Sequence, residues 1–537
     1  MGKKITMPSK KQIIKPIRVH SQKIYLLAAF LEGGVVLSVE ILGAKMLSPF
    51  FGTSLFVWTS VIGITVAFLT LGYYAGGRLS KRNDLTRLLS YTLSIAALLI
   101  ILMPLWALSL YKMLFGISLY TGSLIAATLF LGPPMLALGI TSPLIIQHLT
   151  NQVSDSGKTA GLVYAVSTSG GILFTFFMGF IAIPDWGISL PTVILSVILL
   201  LFSLYIFIEK KQYVIIFLFL ICLVTFFSRT ETAENPNISV PYMSEGLLGQ
   251  LKVLDVIDPT SNMPQRYLLI NGIPQTRIFN NETAVSDWTY VHRVAITASL
   301  KRNNPDVLLF GFGGGSIAGE LRRMQMKTEA VEIDERMFGI ARDYFYFNDS
   351  AITYTVDDAR HYIRTKKKQY DLIIFDVLSG EVQPSYVFTR ESFEELKKLL
   401  KPGGIIIIEF QELTDHKGIS VYQSICNTFL ESGFKAYTYK GQGPISDIII
   451  TASLSDIDFS GLKKDGLSFC CAAQPWVDKF LKKPNEKCEI AFQHARLLTD
   501  DKPMIDVLNA KTIKAWRNWS LNYFMKIELD QHIQVFK

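Results

Sequence analysis

Six runs of about 20 mainly apolar residues occupy the first part of the chain, and a shorter seventh follows. The six runs lie at 24–47, 55–76, 88–110, 119–139, 162–183 and 188–208. A helix needs about 20 residues to cross the hydrocarbon core of a bilayer, so each run predicts a transmembrane helix. The seventh run, 213–228, has 16 residues and is marginal in length. The pattern predicts a polytopic α-helical membrane domain of six to seven helices.

A different pattern follows the membrane domain. The β-branched runs 250–257 and 266–270 flank a turn-forming stretch and predict a small β-hairpin lobe. After residue 300, short apolar runs alternate with helical patterns. Strands and helices that alternate at this spacing indicate a doubly wound α/β sheet of the Rossmann-like, methyltransferase-like class. The strand-like runs are 306–312, 330–334, 352–357, 370–376 and 404–410.

These patterns divide the chain into six segments. They are a basic arm (1–23), the membrane domain (24–228), a linker (229–246), the β-hairpin lobe (247–300), a Rossmann-like nucleoside-binding domain (301–455) and a C-terminal extension (456–537).

Charge supports this division and indicates how the chain is threaded. Only 15 charged residues lie between residues 24 and 228, whereas residues 1–23 carry seven, all Lys or Arg. A single soluble globule is therefore excluded. Basic residues occur near alternate connections of the membrane domain, which predicts a cytoplasmic amino terminus. The segment from residue 229 onward is nearly balanced, with 37 basic and 39 acidic residues, so the net charge of +8 is no nucleic-acid signal.

Two acids lie inside the first apolar run. Glu32 and Glu40 are eight residues apart, hence on similar faces of a helix. Acids within a span are costly and tend to face a cavity or a partner. Lys45 is a possible ion-pair partner of Glu40, and a path for cations is the alternative interpretation.

A glycine-rich turn is the sharpest local motif. Gly311, Gly313 and Gly315 follow a predicted strand, and Ser316 begins the next helix. Such a turn brings the backbone close to a ligand, although it is also found for purely structural reasons. No Walker lysine follows, so a phosphate-binding P-loop is not indicated.

The next two strands end in acids. Glu332 lies 21 positions after Gly311, near the spacing at which an acid binds ribose hydroxyls, and the third strand leads to Asp357 and Asp358. Because the carboxyl ends of parallel strands meet at one edge of the sheet, these residues together predict a site for an adenosine nucleoside.

The fourth strand ends in a loop with two further acids. Asp376 and Glu381 are candidates to bind or deprotonate an amine, because a carboxylate both stabilises an ammonium ion and accepts its proton. For Glu381 an exposed loop acid is the equally weighted alternative. The five Cys residues have no metal-ligand spacing, so no metal site is predicted.

These motifs together resemble the polyamine aminopropyltransferases, the spermidine and spermine synthase family, over roughly residues 246–453. The whole chain is similar to the membrane-fused branch of that family. Further residues that carry the resemblance are Gly249-Gln250, the turn that ends at Gln275, Tyr290, the Phe388-Thr389-Arg390-Glu391 stretch and Leu498-Thr499-Asp500-Asp501-Lys502-Pro503.

The resemblance implies transfer of an aminopropyl group from decarboxylated S-adenosylmethionine to a diamine such as putrescine. It implies that Gln250, Glu332 and Asp358 hold the nucleoside, with Gly311, Gly313, Gly315, Ser316 and Asp357 beside them. It also implies that Gln275 and Tyr290 contact substrate, and that Asp376 is the first acid of the catalytic loop.

Two positions depart from the family pattern. The family has Asp where this chain has Ser316, and a second Asp, the amine-deprotonating base, where this chain has Ser379. Serine has no useful acidity for that role near neutral pH. The catalytic positions are therefore Asp376, Glu381 and Ser379, with the base shifted to Asp376 or Glu381. The alternatives are a methyl or alkyl transferase that uses S-adenosylmethionine, and a non-catalytic nucleoside or polyamine sensor.

The expected partners are a small-molecule amine and the lipid bilayer, without nucleic acid, and a homo-oligomer formed through the soluble domain. A multi-pass protein of the cell membrane is predicted. If the seventh run spans fully, the soluble domain lies outside the cytoplasm; if it is re-entrant, the domain stays inside. Because adenosylmethionine derivatives are made in the cytoplasm, a cytoplasmic soluble domain is the favoured prediction.

Overall fold

The computed structural model describes residues 22–525, except 54, 115–116, 118, 151, 229–236, 258–262, 282–283, 287, 302, 348–351, 379, 381, 414–418, 442, 464–476, 479, 482–484 and 490–494. Its first part is helical. The helices are α1 (Gln22–Phe51), α2 (Leu55–Leu79), α3 (Leu85–Leu114), α4 (Leu119–Leu149), α5 (Ser156–Phe177), α6 (Ile183–Trp186), α7 (Ser189–Ile206) and α8 (Gln212–Ser228). A π-helical turn, Met178–Ala182, joins α5 to α6 without interruption.

Six candidate spans in the described part of the chain are long and apolar enough to cross a membrane, α5 and α6 forming one of them, and α8 is a shorter apolar helix. This confirms the predicted polytopic helical domain, and α8 corresponds to the marginal seventh run. The span 156–186 thus consists of α5, the π-helical turn and α6, and Pro184 lies in α6 just after that turn.

Successive helices run in alternate directions between two faces of the membrane domain. At the face where α1 begins, called here the proximal face, Tyr25 contacts both Thr86 at the start of α3 and His148 at the end of α4. Ser90 of α3 bonds the end of α7 and the start of α8. At the opposite face, called the distal face, the end of α1 and the start of α2 adjoin the start of α4.

Glycines allow α1 and α5 to pack backbone to backbone. A Cβ atom on Gly33 would lie 2.0 Å from the carbonyl oxygen of Ser167, and one on Gly170 would lie 2.0 Å from that of Phe30. Small residues permit such close approach between membrane helices. In the same interface Glu32 is buried, and its Oε2 accepts hydrogen bonds from the hydroxyl groups of Ser142 and Ser167.

The second part of the chain contains two sheets. The first is a four-stranded antiparallel meander of β1 (Ile238–Ser244), β2 (Leu251–Ile257), β3 (Pro264–Ile270) and β4 (Ile273–Phe279). Strand β1 lies inside the segment predicted as a linker, because pairing with β2 orders residues whose local pattern is weak. The β-hairpin lobe therefore has four strands rather than two.

The second sheet is eight-stranded and mixed, in the order β12-β10-β11-β9-β8-β5-β6-β7. Its five central strands from β9 to β7 are parallel, and apolar clusters cover both faces. This order confirms the Rossmann-like, methyltransferase-like fold. Its strands are β5 (Asp306–Phe310), β6 (Lys327–Glu332), β7 (Thr353–Val356), β8 (Tyr370–Phe375), β9 (Leu400–Leu413), β10 (Lys435–Lys440), β11 (Ile445–Ser453) and β12 (Glu486–Lys487).

Helices of this part connect the strands and close the chain. They are α9 (Thr289–Ala298), α10 (Ser316–Arg323), α11 (Arg336–Tyr344), α12 (Ala359–Thr365), α13 (Arg390–Leu396), α14 (Val421–Glu431), α15 (Ile505–Leu508) and α16 (Ala510–Ser520).

The soluble part docks on the distal face. Arg517 of α16 is buried, and its Nη1 donates to the carbonyl oxygens of Pro49 at the end of α1 (3.0 Å) and Asn271 in the β3–β4 turn (3.3 Å). The carboxylate of Glu245 accepts the Ile188 N–H between α6 and α7. Lys45 donates to the carbonyl oxygen of Leu247. The structure thus gives Lys45 this contact with the soluble part, where the sequence suggested pairing with Glu40.

This docking has a consequence for topology. Helix α1 begins at the proximal face, whereas the soluble part is held at the distal face by contacts with α1 and the α6–α7 junction. A chain threaded through a membrane in this way has the start of α1 and the soluble part on opposite sides of it.

Candidate functional site

A cavity of about 290 Å³ lies at the carboxyl ends of the parallel strands. Hydrogen bonds align those ends: the Gly311 N–H donates to the Val331 carbonyl (2.9 Å), and the Asp376 N–H donates to the Phe310 carbonyl (2.9 Å). The predicted residues that line this cavity are Gln275, Tyr290, Gly311, Gly313, Ser316, Glu332, Asp357, Asp358 and Asp376. The fold thus brings together nine residues that the sequence assigned to one site.

The glycine turn passes very close to the fourth strand. Gly311 has φ of +84°, and a Cβ atom there would lie 2.0 Å from the carbonyl oxygen of Asp376. Gly315 also has positive φ and precedes α10, but it faces a smaller cavity beside Phe347. Gly311 is therefore required both by backbone conformation and by the approach of the Asp376 backbone.

Replacing Gly311 by Ala is expected to destabilise the soluble part by at least about 2 kcal/mol, because the left-handed conformation alone costs a Cβ-bearing residue roughly 1–2 kcal/mol before the clash is counted. The measurement is the thermal midpoint of the purified protein. Gly339→Ala is the matched control, because Gly339 lies in α11 with nothing within 4 Å of its would-be Cβ. An unchanged thermal midpoint in Gly311→Ala would contradict the close contact between residue 311 and the backbone of Asp376.

Glu332 lies at the end of β6, beside the glycine turn. Its Oε2 accepts the Phe312 N–H (2.9 Å), and its Oε1 accepts the Asp334 N–H (3.1 Å). Desolvation raises the pKa of Glu332, while these backbone hydrogen bonds act in the opposite direction. The carboxylate is thus held rigidly by the backbone, and each oxygen keeps a lone pair for a further donor.

Two acids at the end of β7 have different surroundings. Asp358 caps α12, where its Oδ1 accepts the Arg360 N–H (2.9 Å), and its Oδ2 accepts the Tyr386 hydroxyl (2.6 Å). Asp357 accepts a hydrogen bond from Nδ1 of His361 at 2.7 Å. Asp358 is therefore a structural cap as well as a cavity residue, and Tyr386 joins it to the loop that follows β8.

Asp376 follows β8 directly and lines the cavity. Burial raises the pKa of Asp376 to about 7, and the charge of Glu332 adds to this effect, whereas a hydrogen bond from the Tyr290 hydroxyl opposes it. Burial also raises the pKa of Tyr290 well above its usual range. A carboxylate whose pKa lies near neutrality is suited to accept a proton in that pH range.

The remaining predicted residues are not all in the cavity wall. Gln250 is buried behind it, where its side chain donates to Glu245 (3.4 Å). Gln275 lines the cavity and donates to the Gly380 carbonyl (2.9 Å), which ties β4 to the loop after β8. Ser379 and Glu381 lie outside the described residues. Ser316 lines the cavity, and among the described residues its Oγ has no hydrogen-bond partner.

Several cavity residues escaped the sequence interpretation. Glu409 and Gln411 of β9, Trp288 and Trp516 also line the cavity. Glu409 carried a usable signal, because it is the lone acid within the apolar run Ile405 to Phe410. Trp516 had none, because its place depends on how the C-terminal extension folds back.

One wall of the cavity adjoins the membrane domain. Trp516 directly precedes Arg517, which binds the end of α1, and Leu248 directly follows Leu247, which binds Lys45. Val382 lines the cavity and also packs against the apolar cluster of the membrane domain. The site is therefore completed by contacts that an isolated soluble segment lacks.

The described part of the chain shows no metal site. No group of three or more His, Cys, Asp or Glu side chains there is arranged to hold a metal ion. The cysteines outside the membrane domain include Cys426 and Cys488, which are paired in a disulfide away from the cavity.

Comparisons with known proteins point to one family. Residues 290–439 match the family model described as "Spermine/spermidine synthase domain". A polyamine aminopropyltransferase of Vibrio vulnificus is 29% identical over 221 residues, which are 39% of this chain and 71% of the relative. One from Saccharolobus islandicus is 28% identical over 186 residues, 32% of this chain and 60% of the relative. Less than two thirds of the archaeal protein is thus covered.

Solved structures are similar to about half of this chain. A probable spermidine synthase from Corynebacterium glutamicum is 19% identical, with a TM-score of 0.35, and the match covers 50% of this chain and 95% of that protein. The spermidine synthase of Thermotoga maritima is 18% identical, with a TM-score of 0.34, over 45% of this chain and 87% of that protein.

Proposed function

Because the soluble part of this chain belongs to the spermine/spermidine synthase family, we propose that the protein is a membrane-anchored aminopropyltransferase. Its donor is decarboxylated S-adenosylmethionine and its acceptor is a diamine such as putrescine. The observation that carries the proposal is the position of Asp376, an acid with its pKa raised to about 7, in one cavity with the glycine turn and Glu332.

The proposed reaction is a single displacement. The acceptor nitrogen attacks the methylene carbon next to the donor's sulfonium, a C–N bond forms, and the C–S bond breaks with its electron pair passing to sulfur. The products are methylthioadenosine and the extended amine. The acceptor must lose one proton, because only a neutral amine has the lone pair that attacks.

Asp376 is the proposed base. The position of the family's second acid is Ser379, whose hydroxyl has no useful acidity or basicity near neutral pH. Asp376 has the geometry and the pKa for the role, and Glu381 is a further candidate from the sequence. The catalytic base is thus shifted within the loop after β8 relative to the family pattern.

The nucleoside is proposed to bind across the ends of β5, β6 and β7. Glu332 accepts the ribose hydroxyls, Asp357 and Asp358 lie beside the base, and the glycine turn lies against the sulfonium side. Acids around this site also suit a donor that carries positive charge at sulfur and nitrogen. Gln275 and Tyr290 are proposed to contact the substrates.

Glu332→Gln is expected to weaken methylthioadenosine binding about 10- to 100-fold, because hydrogen bonds to a charged acceptor contribute about 1.5–3 kcal/mol. The measurement is calorimetric titration of the full chain in detergent. Glu335→Gln is the control, since Glu335 is exposed three residues further along. Equal dissociation constants for wild type and Glu332→Gln would contradict the ribose assignment.

A second candidate is transfer of a methyl or other alkyl group from intact S-adenosylmethionine. The observation that favours it is Ser316, a cavity residue at the position where the family has an Asp. Among the described residues, the Oγ atom of Ser316 has no hydrogen-bond partner. Serine would tolerate the carboxylate of the intact donor, which an Asp would repel. A non-catalytic nucleoside or polyamine sensor is the third possibility retained from the sequence.

Product analysis of the full chain separates the three. The purified protein is incubated with each donor in turn and with a set of diamines, and methylthioadenosine and S-adenosylhomocysteine are measured. Methylthioadenosine formed only with the decarboxylated donor supports the proposal. S-adenosylhomocysteine formed from the intact donor favours the second candidate, and neither product with measurable binding favours the sensor.

The proposal includes the location and the partners of the protein. It resides in the cell membrane as a multi-pass protein, with the lipid bilayer as one partner and a small-molecule amine as another. Nucleic acid is not a partner, in keeping with the balanced charge of residues 229–537. Association into homo-oligomers is proposed to occur through the soluble domain.

A further inference from the structure

Three acids lie on neighbouring strands at one wall of the cavity. The parallel register pairs Phe375 with Ile408, so Asp376 and Glu409 are adjacent across β8 and β9. The antiparallel register pairs Gln411 with Asp447, two positions further along β9. Gln411 lines the cavity and donates to Asp447 at 3.3 Å. Asp376 and Glu409 thus form the wall, and Asp447 lies directly behind it.

Glu409 is the unusual member of this set. It is 2% exposed, it lines the cavity, and among the described residues its Oε1 has no hydrogen-bond partner. A buried carboxylate oxygen without a hydrogen-bond partner is costly, so such an atom in a cavity wall points to a bound cation. Arg293 reaches Asp447 at 3.5 Å and offsets only part of the negative charge.

We propose that Glu409, supported by Asp376 and Asp447, binds the ammonium group of the acceptor amine. This inference rests on the proposed function and deepens it, because it names the group that replaces the acid missing at Ser379. A protonated diamine is a compact cation with hydrogen-bond donors, and a buried pair of carboxylates matches its charge better than a serine hydroxyl does.

The arrangement of these acids also predicts that protons are released when an amine binds. The groups that face Glu409 are Asp376 from β8, Asp447 from β11, and Tyr290 and Arg293 from α9. Burial and repulsion from Asp376 and Asp447 raise the pKa of Glu409 well above its usual range. A bound ammonium ion favours the ionised carboxylates, so amine binding near pH 6.5 releases protons from the protein.

The test uses the full chain in detergent with methylthioadenosine present, and putrescine as the probe. Glu409→Gln is expected to weaken putrescine binding on the order of 30-fold, as expected when one partner of a buried charge pair is removed. It should also reduce the proton release measured by calorimetry in buffers of different ionisation enthalpy. Methylthioadenosine affinity should be unchanged. Asp371→Asn, at the opposite end of β8 beside Lys401, is the charge-matched control.

The outcomes distinguish this inference from the proposed function. Equal putrescine binding and proton release in wild type and Glu409→Gln, or no putrescine binding by wild type, would overturn the amine-site assignment. Binding that depends on Glu409 without any transfer product would leave the amine site in place and overturn the aminopropyltransferase proposal.

A separate observation concerns the side of the membrane on which this site opens. Of nine basic residues between residues 24 and 228, seven lie at or next to the proximal connections: Arg78, Lys81, Arg82, Arg87, Lys158, Lys210 and Lys211. Only Lys45 and Lys112 lie toward the distal face, where the connections 51–55, 114–119 and 186–189 contain no basic residue.

From this asymmetry and the docking contacts we infer that the soluble part lies outside the cytoplasm. Positively charged connections stay on the cytoplasmic side, and the soluble part is bound to the other face by Arg517, Glu245 and Lys45. Cys426 and Cys488 lie close enough to form a disulfide, with 6.0 Å between their Cα atoms, and such a bond persists in an oxidising compartment. This reverses the placement favoured from the sequence, and it requires that the nucleoside donor be delivered across the membrane.

Two variants with one added cysteine each test this placement. Lys398→Cys is exposed on the soluble part and Lys81→Cys is exposed in the α2–α3 connection. In spheroplasts treated with a membrane-impermeant maleimide, Lys398→Cys is expected to be labelled above the unsubstituted protein, and Lys81→Cys only after permeabilisation. Labelling of Lys81→Cys alone, or of neither before permeabilisation, would overturn the inference.

Discussion

Asp376→Asn is expected to lower the rate of aminopropyl transfer about 10³-fold, within the range of about 10²–10⁴ that a positioned general base contributes. The amide has the shape of the carboxylate and can still accept a hydrogen bond from Tyr290, but it cannot take the proton of the attacking amine. The measurement is methylthioadenosine release by the full chain with saturating putrescine.

The pH profile provides a second measurement. Because Asp376 has a pKa of about 7 in the folded protein, wild-type kcat/KM is expected to rise with pH through that value as the carboxylate forms. In Asp376→Asn this limb should disappear. Asp371→Asn removes a carboxylate at the far end of the same strand and should keep both the rate and the limb.

Asp376→Asn should also stabilise the protein at alkaline pH. The folded-state pKa of Asp376 is raised from 3.8 to about 7, so the folded state binds this proton more tightly than the unfolded state. Its contribution to stability therefore falls as pH rises from about 4 to about 7 and stays low above that. At pH 8 the thermal midpoint of Asp376→Asn should exceed that of wild type, and at pH 4 the two should agree. A variant that keeps a tenth of the rate, or one that melts lower at pH 8, would contradict the assigned role.

Arg360→Met is expected to destabilise the soluble part by about 3 kcal/mol, the lower end of the range for removing one partner of a buried ion pair. Arg360 is 4% exposed. Its guanidinium binds Glu395 (2.7 Å) and Asp500 (3.0 Å) and donates to the Thr389 hydroxyl (2.9 Å). Without it, two carboxylates and a hydroxyl lose their common donor.

Removal of the Arg360 guanidinium should also weaken the nucleoside site. Arg360 donates to the Tyr386 carbonyl, and the Tyr386 hydroxyl bonds Asp358 (2.6 Å) in the cavity wall. The thermal midpoint should fall by several degrees, with weaker methylthioadenosine binding measured by calorimetry. Arg364→Met is the matched control: Arg364 reaches the same two acids, but its side chain is 54% exposed, so it should cost less than about 1 kcal/mol. Equal effects of the two substitutions would contradict the importance of burial.

The Arg360 network also explains the motif near the carboxyl end. Asp500 accepts hydrogen bonds from Arg360 and from the Thr389 hydroxyl, and the Leu498 carbonyl accepts the Arg390 N–H. The family resemblance identified the stretches 388–391 and 498–503 separately, and these hydrogen bonds join them. Residues about 110 positions apart in the chain thus hold one loop of the site.

The local sequence was sufficient for the elements and for the nucleoside end of the site. Apolar runs of about 20 residues, and short strands ending in Gly311, Glu332, Asp358 and Asp376, depend on periodicity and strand ends, which are properties of neighbouring residues. The helices and the five parallel strands of the second sheet follow from them, and nine of the predicted residues share one cavity. The β-hairpin lobe was incomplete in the prediction, because β1 is ordered by pairing rather than by its own pattern.

Tertiary structure decided what distant residues do together. Glu409 became a cavity acid only through its register with Asp376 across β8 and β9. Trp516 and Arg517 reach the site and the membrane domain only because the C-terminal extension folds back against α1. The face on which the soluble part docks was likewise fixed by contacts such as Glu245 with the Ile188 N–H. Composition and periodicity report on local segments, whereas register and docking depend on packing between segments that are far apart in the chain.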